Sequence, residues 1–164
     1  MRTVSEKWPE PDAGQAQATL IADLTHAGVN VEHLRWLPLA ESRSVVRHWM
    51  GLGAQRWGRL SLNPPAGSRV RRGEYPDDEL PPWLRPVPPE SIVMFFRPAT
   101  DYLLARCATA FAVAERARLA RTDRDGFAAL TPELDGGLLV HVESRLGDAA
   151  LDIDAWGSFV APAP

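Results

Sequence analysis

The sequence predicts an α+β fold: two N-terminal helices, then an antiparallel or mixed sheet of four to five strands packed on one long helix over about residues 101–121, closed by a C-terminal β-hairpin. Three features carry this. From Leu138 to Leu146 apolar and charged residues alternate, and the same period returns from Leu151 to Trp156, as a strand with one buried face requires. Ser91 to Arg97 is a continuous apolar run stopped by Pro98, the pattern of a strand covered on both sides. Two stretches, one after Asp12 and one after Thr100, repeat apolar residues at three- and four-residue spacing.

In chain order, residues 1–11 are polar and broken by prolines, which reads as a loose arm of a single globular domain spanning 1–164. Asp12 stands three residues before Gln15, a capping pattern that satisfies exposed helix donors, so a first helix is expected over about 13–27. Gly28 suits the left-handed position that ends it. Val29 to Leu37 fits strand and helix equally, whereas Val45, Val46 and Trp49 give a second helix after Pro38. A short strand is expected over Gly58 to Leu62. Residues 63–90 carry eight of the fifteen prolines, and proline fixes its own backbone and restricts the residue before it, so a long surface loop is expected there. Past the apolar strand, Leu104, Cys107, Phe111 and Ala114 repeat like one long helix ending in Arg116, Arg118 and Arg121, where cations meet the negative end of the helix dipole. A short strand, Phe127 to Thr131, leads through Asp135-Gly136-Gly137 into the hairpin.

That hairpin places Leu138, Val140, Val142, Leu151, Ile153 and Ala155 on one face, and Leu139, His141, Glu143, Arg145, Asp152, Asp154 and Trp156 on the other. Two registers satisfy this division. A two-residue turn at Gly147-Asp148 sets Glu143 opposite Asp152, and a four-residue loop sets Arg145 opposite Asp152 and Glu143 opposite Asp154. Charge favours the second by about 0.2–1 kcal/mol per rung.

The net charge of −3 gives no general attraction to nucleic acid or an anionic membrane. No run of apolar residues is long enough to span a bilayer, and the first residues, with Arg2, Glu6 and Lys7, do not form an ordinary signal peptide. The lone Cys107 excludes an internal disulfide framework and reads as a buried thiol. A bacterial cytoplasmic setting is therefore expected; seventeen arginines against one lysine match GC-rich coding. The four histidines, His26, His33, His48 and His141, show no ligand spacing, and Asp123-Arg124-Asp125-Gly126 fails as a calcium loop because Arg121 and Pro132 would occupy carboxylate positions. No metal and no cofactor are expected. Glycine-rich phosphate loops, His-Glu-x-x-His and Gly-x-Ser-x-Gly are all missing from the sequence.

The sequence thus points to a non-enzymatic partner-binding protein of the inhibitor, immunity, chaperone-like or assembly kind. Its partner would be another protein, met by Glu143, Arg145, Asp152, Asp154 and Trp156 on the hairpin and by Trp83 and Leu84 in the proline-rich segment. Homo-oligomerisation is left open. The alternative is a small-molecule enzyme or binding protein in which His141 works with Glu143, Asp152 or Asp154 in proton transfer. A basic segment, Arg43 to Arg72, contains no acidic residue, and is the weaker route to nucleic acid.

Overall fold

The computed structural model describes residues 13–51, 55–57, 59–61, 64, 67–85, 88–95, 103–122, 126–145 and 148–163; the arm at 1–11 and the Asp123–Asp125 turn lie outside them. The elements are α1 (Ala13–His26), a 3-10 turn (Val31–His33), β1 (Arg35–Trp36), α2 (Leu39–Gly51), β2 (Gln55–Trp57), β3 (Arg59–Ser61), β4 (Val70–Tyr75), β5 (Glu90–Phe95), β6 (Leu103–Ala108), α3 (Thr109–Ala114), α4 (Arg116–Thr122), β7 (Phe127–Leu130), β8 (Gly136–Arg145) and β9 (Asp148–Gly157). The fold is α+β. Seven strands form one antiparallel sheet in the order β1-β6-β5-β7-β8-β9-β4, and β2 pairs with β3 as a separate ribbon.

Both helices expected before the sheet form. In α1, Leu20 and Leu24 are fully buried, and Gly28 closes the helix at φ 89°. The apolar run becomes β5, hydrogen-bonded to β6 on one side and β7 on the other, so both of its faces must find apolar cover. They do. Val93 and Phe95 join a core with α1, α3 and α4, through Leu20, Leu24, Ala112, Val113 and Leu119. Ile92 and Met94 join a second core on the opposite face, with Leu104, Ala128, Leu130, Leu139 and Trp156, against which Val45 and Val46 of α2 pack.

Two expectations are corrected here. The long helix over about 101–121 does not form as such: 103–108 is strand β6, and the helical part is two short helices that meet at Glu115. Leu103, Ala105 and Cys107 enter the first core while Leu104 enters the second, so the segment is buried by alternation. Its leucines and alanines favour helix in isolation, but β5 needs a hydrogen-bonding partner along that edge, and tertiary pairing outweighs a propensity of a few tenths of a kcal/mol per residue. The sheet consequently has seven strands instead of four or five.

The second correction concerns 63–90, which is not wholly loop because it contains β4, paired along its length with β9. Described residues of the segment beyond β4 are tied to the body. Buried Arg116 donates to the carbonyls of Val113, Asp77 and Glu79 at 2.8, 2.7 and 3.1 Å. Arg121 grips both carboxylate oxygens of Asp77, at 2.7 Å for one of them. Arginines that suit a helix dipole thus hold a loop. Burial pulls the Arg116 pKa down, opposed by Asp77 and Asp78, and a guanidinium left charged at this depth needs such carbonyl partners.

The hairpin adopts neither anticipated register. Arg145 lies opposite Asp148, His141 opposite Asp152, Leu139 opposite Asp154 and Gly137 opposite Trp156. The deciding contact is far from the turn. A Cβ built on Gly137 would come within 2.5 Å of Trp156 Nε1, so the indole occupies space that only a glycine leaves, and either other register would put Leu139 or His141 beneath it. In this register Glu143 pairs with Ala150 along the backbone.

Candidate functional site

The second face of the sheet is divided. Over β5, β7 and the start of β8 it is apolar and lies beneath α2. Over β8, β9 and β4 it turns ionic. His141, Asp152 and Glu74 stand in one cross-strand row, and Leu139, Asp154 and Arg72 in the next. Further along, the register places Glu143 opposite Ala150 and Arg145 opposite Asp148. Among the residues whose side chains are described, three carboxylates therefore share this area with one arginine and one histidine.

His141, Asp152 and Asp154 are half-buried and Glu74 is exposed. The Asp154 side chain is 18 % exposed and lies 3.6 Å from the Arg72 guanidinium. Burial pushes its pKa above the usual aspartate range and Asp152 pushes it further, while Arg72 and His141 pull it back. Directly opposite residues in an antiparallel pair have Cβ atoms about 5 Å apart, so the side chains in these rows feel one another.

The sign of the resulting pH effect is fixed. A carboxyl whose folded pKa lies above its reference value of 3.8 holds its proton more tightly in the folded chain, so its ionisation on raising the pH costs stability, and acidification through the folded pKa restores it. Asp154→Asn should remove that acid-side gain. Urea titrations of both proteins from neutral pH downwards would show wild type gaining on the variant; parallel profiles would mean that Asp154 titrates as it does in water.

Of the other residues that the sequence singles out, Trp156 is only 4 % exposed and packs in the second core. Trp83 and Leu84 pack against the first core: Trp83 Nε1 donates to the Tyr75 hydroxyl at 3.0 Å, and Leu84 bridges Val160. The structure therefore brings Asp152 and Asp154 onto one surface with His141, puts Glu143 and Arg145 further along β8 in register with Ala150 and Asp148, and places Trp83 and Leu84 elsewhere. Arg72 and Glu74 are the residues that the sequence reading missed. Their signal was slight: Val70-Arg71-Arg72-Gly73-Glu74-Tyr75 lies in a proline-free stretch that ends at Pro76, inside a segment whose prolines otherwise mark it as loop.

Comparison with family models, characterised proteins and solved structures finds no match. The site therefore rests on its own chemistry. Among the described residues, no group of three or more His, Cys, Asp or Glu side chains has the geometry to hold a metal ion. Cys107 is buried, and burial together with Glu90 pushes its thiol up to about 12 against the opposing effect of Arg35, which removes thiolate chemistry at neutral pH. A second ionic group, Arg35, Glu90, Arg106 and Glu41, links β1, β5, β6 and α2 through contacts of 2.8–3.1 Å. Hydrogen bonds from Arg106 and Arg35 hold the Glu90 carboxyl below the usual range. These charges pair among themselves and fasten α2 over the sheet. No described helix is long and apolar enough to cross a membrane.

Proposed function

We propose that the chain is a non-catalytic partner-binding protein that docks a basic protein segment on the ionic end of its second sheet face. One observation supports this reading: Glu74, Asp152 and Asp154 are gathered on two adjacent strands at the border of the region that α2 covers, and the register of β8 with β9 continues from them to positions 143 and 148. A surface with excess negative charge steers and orients cationic partners more than it adds raw affinity. The rigid sheet beneath holds the charges at fixed spacing, which lowers the ordering cost of binding. A bacterial cytoplasmic setting fits the arginine-rich coding and the single buried cysteine.

Charge reversal tests it. Glu143→Lys with Asp152→Lys should weaken binding to an immobilised arginine-rich peptide by roughly tenfold or more, as expected for charge pairs worth about 1–2 kcal/mol together. The control is Glu32→Lys with Glu79→Lys, an equal change in net charge at two exposed positions outside this face. Equal losses in the two variants would reduce the effect to overall charge and remove the proposed surface. The alternative of proton transfer by His141 with an aspartate draws on the raised Asp154 pKa. The same stability profile decides its premise, because an Asp154 that titrates normally is no better a base than any surface carboxylate.

A further inference from the structure

We propose that β4 is a dimerisation edge, pairing antiparallel with β4 of a second copy about a two-fold axis through Gly73. The described sheet ends at β4, and an edge strand of six residues is a template for another strand. Its polarity follows from one bond. Gly157 donates its N–H to the Arg69 carbonyl at 3.0 Å, which continues the β4–β9 register by one rung. In an antiparallel ladder the N–H and C=O of one residue point the same way and alternate along the strand. Residues 69, 71, 73 and 75 therefore turn these groups to β9, and Val70, Arg72 and Glu74 turn theirs to the side on which no described strand lies.

Parity and charge then select the register. Outward-turned residues must meet outward-turned residues, which leaves Arg72 opposite Arg72 of the second copy, or Arg72 opposite Glu74 of the second copy, as the central choices. The first stacks two cations on the axis. The second makes two identical ion pairs, one on each side of it, and is favoured by the difference between attraction and repulsion at directly opposed positions. It also places Gly73 against its own copy on the axis, where strands approach most closely. Tyr75 leans over Gly73, its ring 2.7 Å from where a Cβ would stand, so two tyrosine rings would cover the axis on the helical side of the sheet.

The arrangement does not require Arg72 to leave Asp154. A guanidinium has five N–H donors, and the Arg72 side chain, 59 % exposed, can add Glu74 of the second copy to the partners it has within its own chain. The axis is perpendicular to the sheet, so both ionic surfaces would emerge on the same side of one continuous fourteen-strand sheet, twice the seven strands of one chain. The inference stands whether or not that surface binds a basic partner.

Sedimentation velocity of the wild-type chain from low micromolar to submillimolar concentration should show a reversible monomer–dimer equilibrium. Glu74→Arg, which opposes two arginine pairs, and Arg72→Glu, which opposes two glutamate pairs, should each raise the dissociation constant by about tenfold or more, with far-UV spectra unchanged. An equimolar mixture of the two variants restores both ion pairs and should dimerise at least as well as wild type. A wild-type chain that stays monomeric throughout overturns the proposal. So does a Glu74→Arg variant that dimerises like wild type, or a mixture that does not recover. Glu74 is exposed, so that variant decides the matter by itself if Arg72→Glu does not fold beside Asp154. The readout here is self-association, whereas that of the binding surface is peptide capture by the Glu143→Lys with Asp152→Lys chain, so failure of one is separable from failure of the other.

Discussion

Gly126→Ala is expected to destabilise the protein by about 2–5 kcal/mol, enough to unfold a marginal domain. Gly126 has φ 75°, and a Cβ built on it would lie 1.9 Å from the Val140 carbonyl oxygen and 3.1 Å from the His141 Cα. Two costs combine. An L-residue in left-handed backbone costs about 1–2 kcal/mol, and forcing an atom into packed surroundings costs about 1–3 kcal/mol more. The obstacle is main chain, which cannot rotate aside as a side chain would. Relief requires β7 to separate from β8 at the Phe127–Val140 rung, the junction between the central strands and the hairpin that bears the ionic surface. Gly67→Ala separates the two costs, because Gly67 has φ 84° with nothing within 4 Å of its Cβ position; it should show only the backbone cost. Urea midpoints of the two variants measure the difference, and equal midpoints would mean that β7 and β8 are not held this close.

Leu139→Ala should cost about 2–5 kcal/mol, the range for emptying a fully buried leucine site. The value matters because periodicity alone assigns Leu139 to the polar side of the hairpin with His141, Glu143 and Arg145. It is on that side. It is also fully buried, beneath the second core that α2 closes over the sheet. Leu39, 36 % exposed at the start of α2, provides the comparison: its change to alanine should fall within about 0.5 kcal/mol. If Leu139→Ala were equally mild, α2 would not cover this face, and the ionic and apolar halves of the surface would be one open sheet.

Much of the architecture was legible because its signals are local. The spacing of Leu20 and Leu24, the unbroken apolar run of β5 and the alternation in β8 and β9 each specify an element within a few turns of chain. The same alternation assigns His141, Glu143, Arg145, Asp152 and Asp154 to one face, and His141, Asp152 and Asp154 stand together there. Trp156 obeyed it too, but its burial depended on Gly137 from another strand. Where an element's identity depended on a distant partner, the sequence pointed elsewhere. β6 has helix-forming residues and becomes a strand only because β5 lies beside it, and β4 hides among prolines because its pairing with β9 is nearly eighty residues away.

Periodicity by itself therefore determined the α+β class, the two early helices, the central strand and which hairpin residues share a side, since side-chain direction follows from backbone geometry alone. Tertiary structure decided the hairpin register, the seven-strand order, the division of the second face into covered and ionic halves, and the arrival of Arg72 and Glu74 beside Asp152 and Asp154. Those outcomes turn on contacts between segments remote in sequence, such as the indole of Trp156 over Gly137, and no local pattern records them.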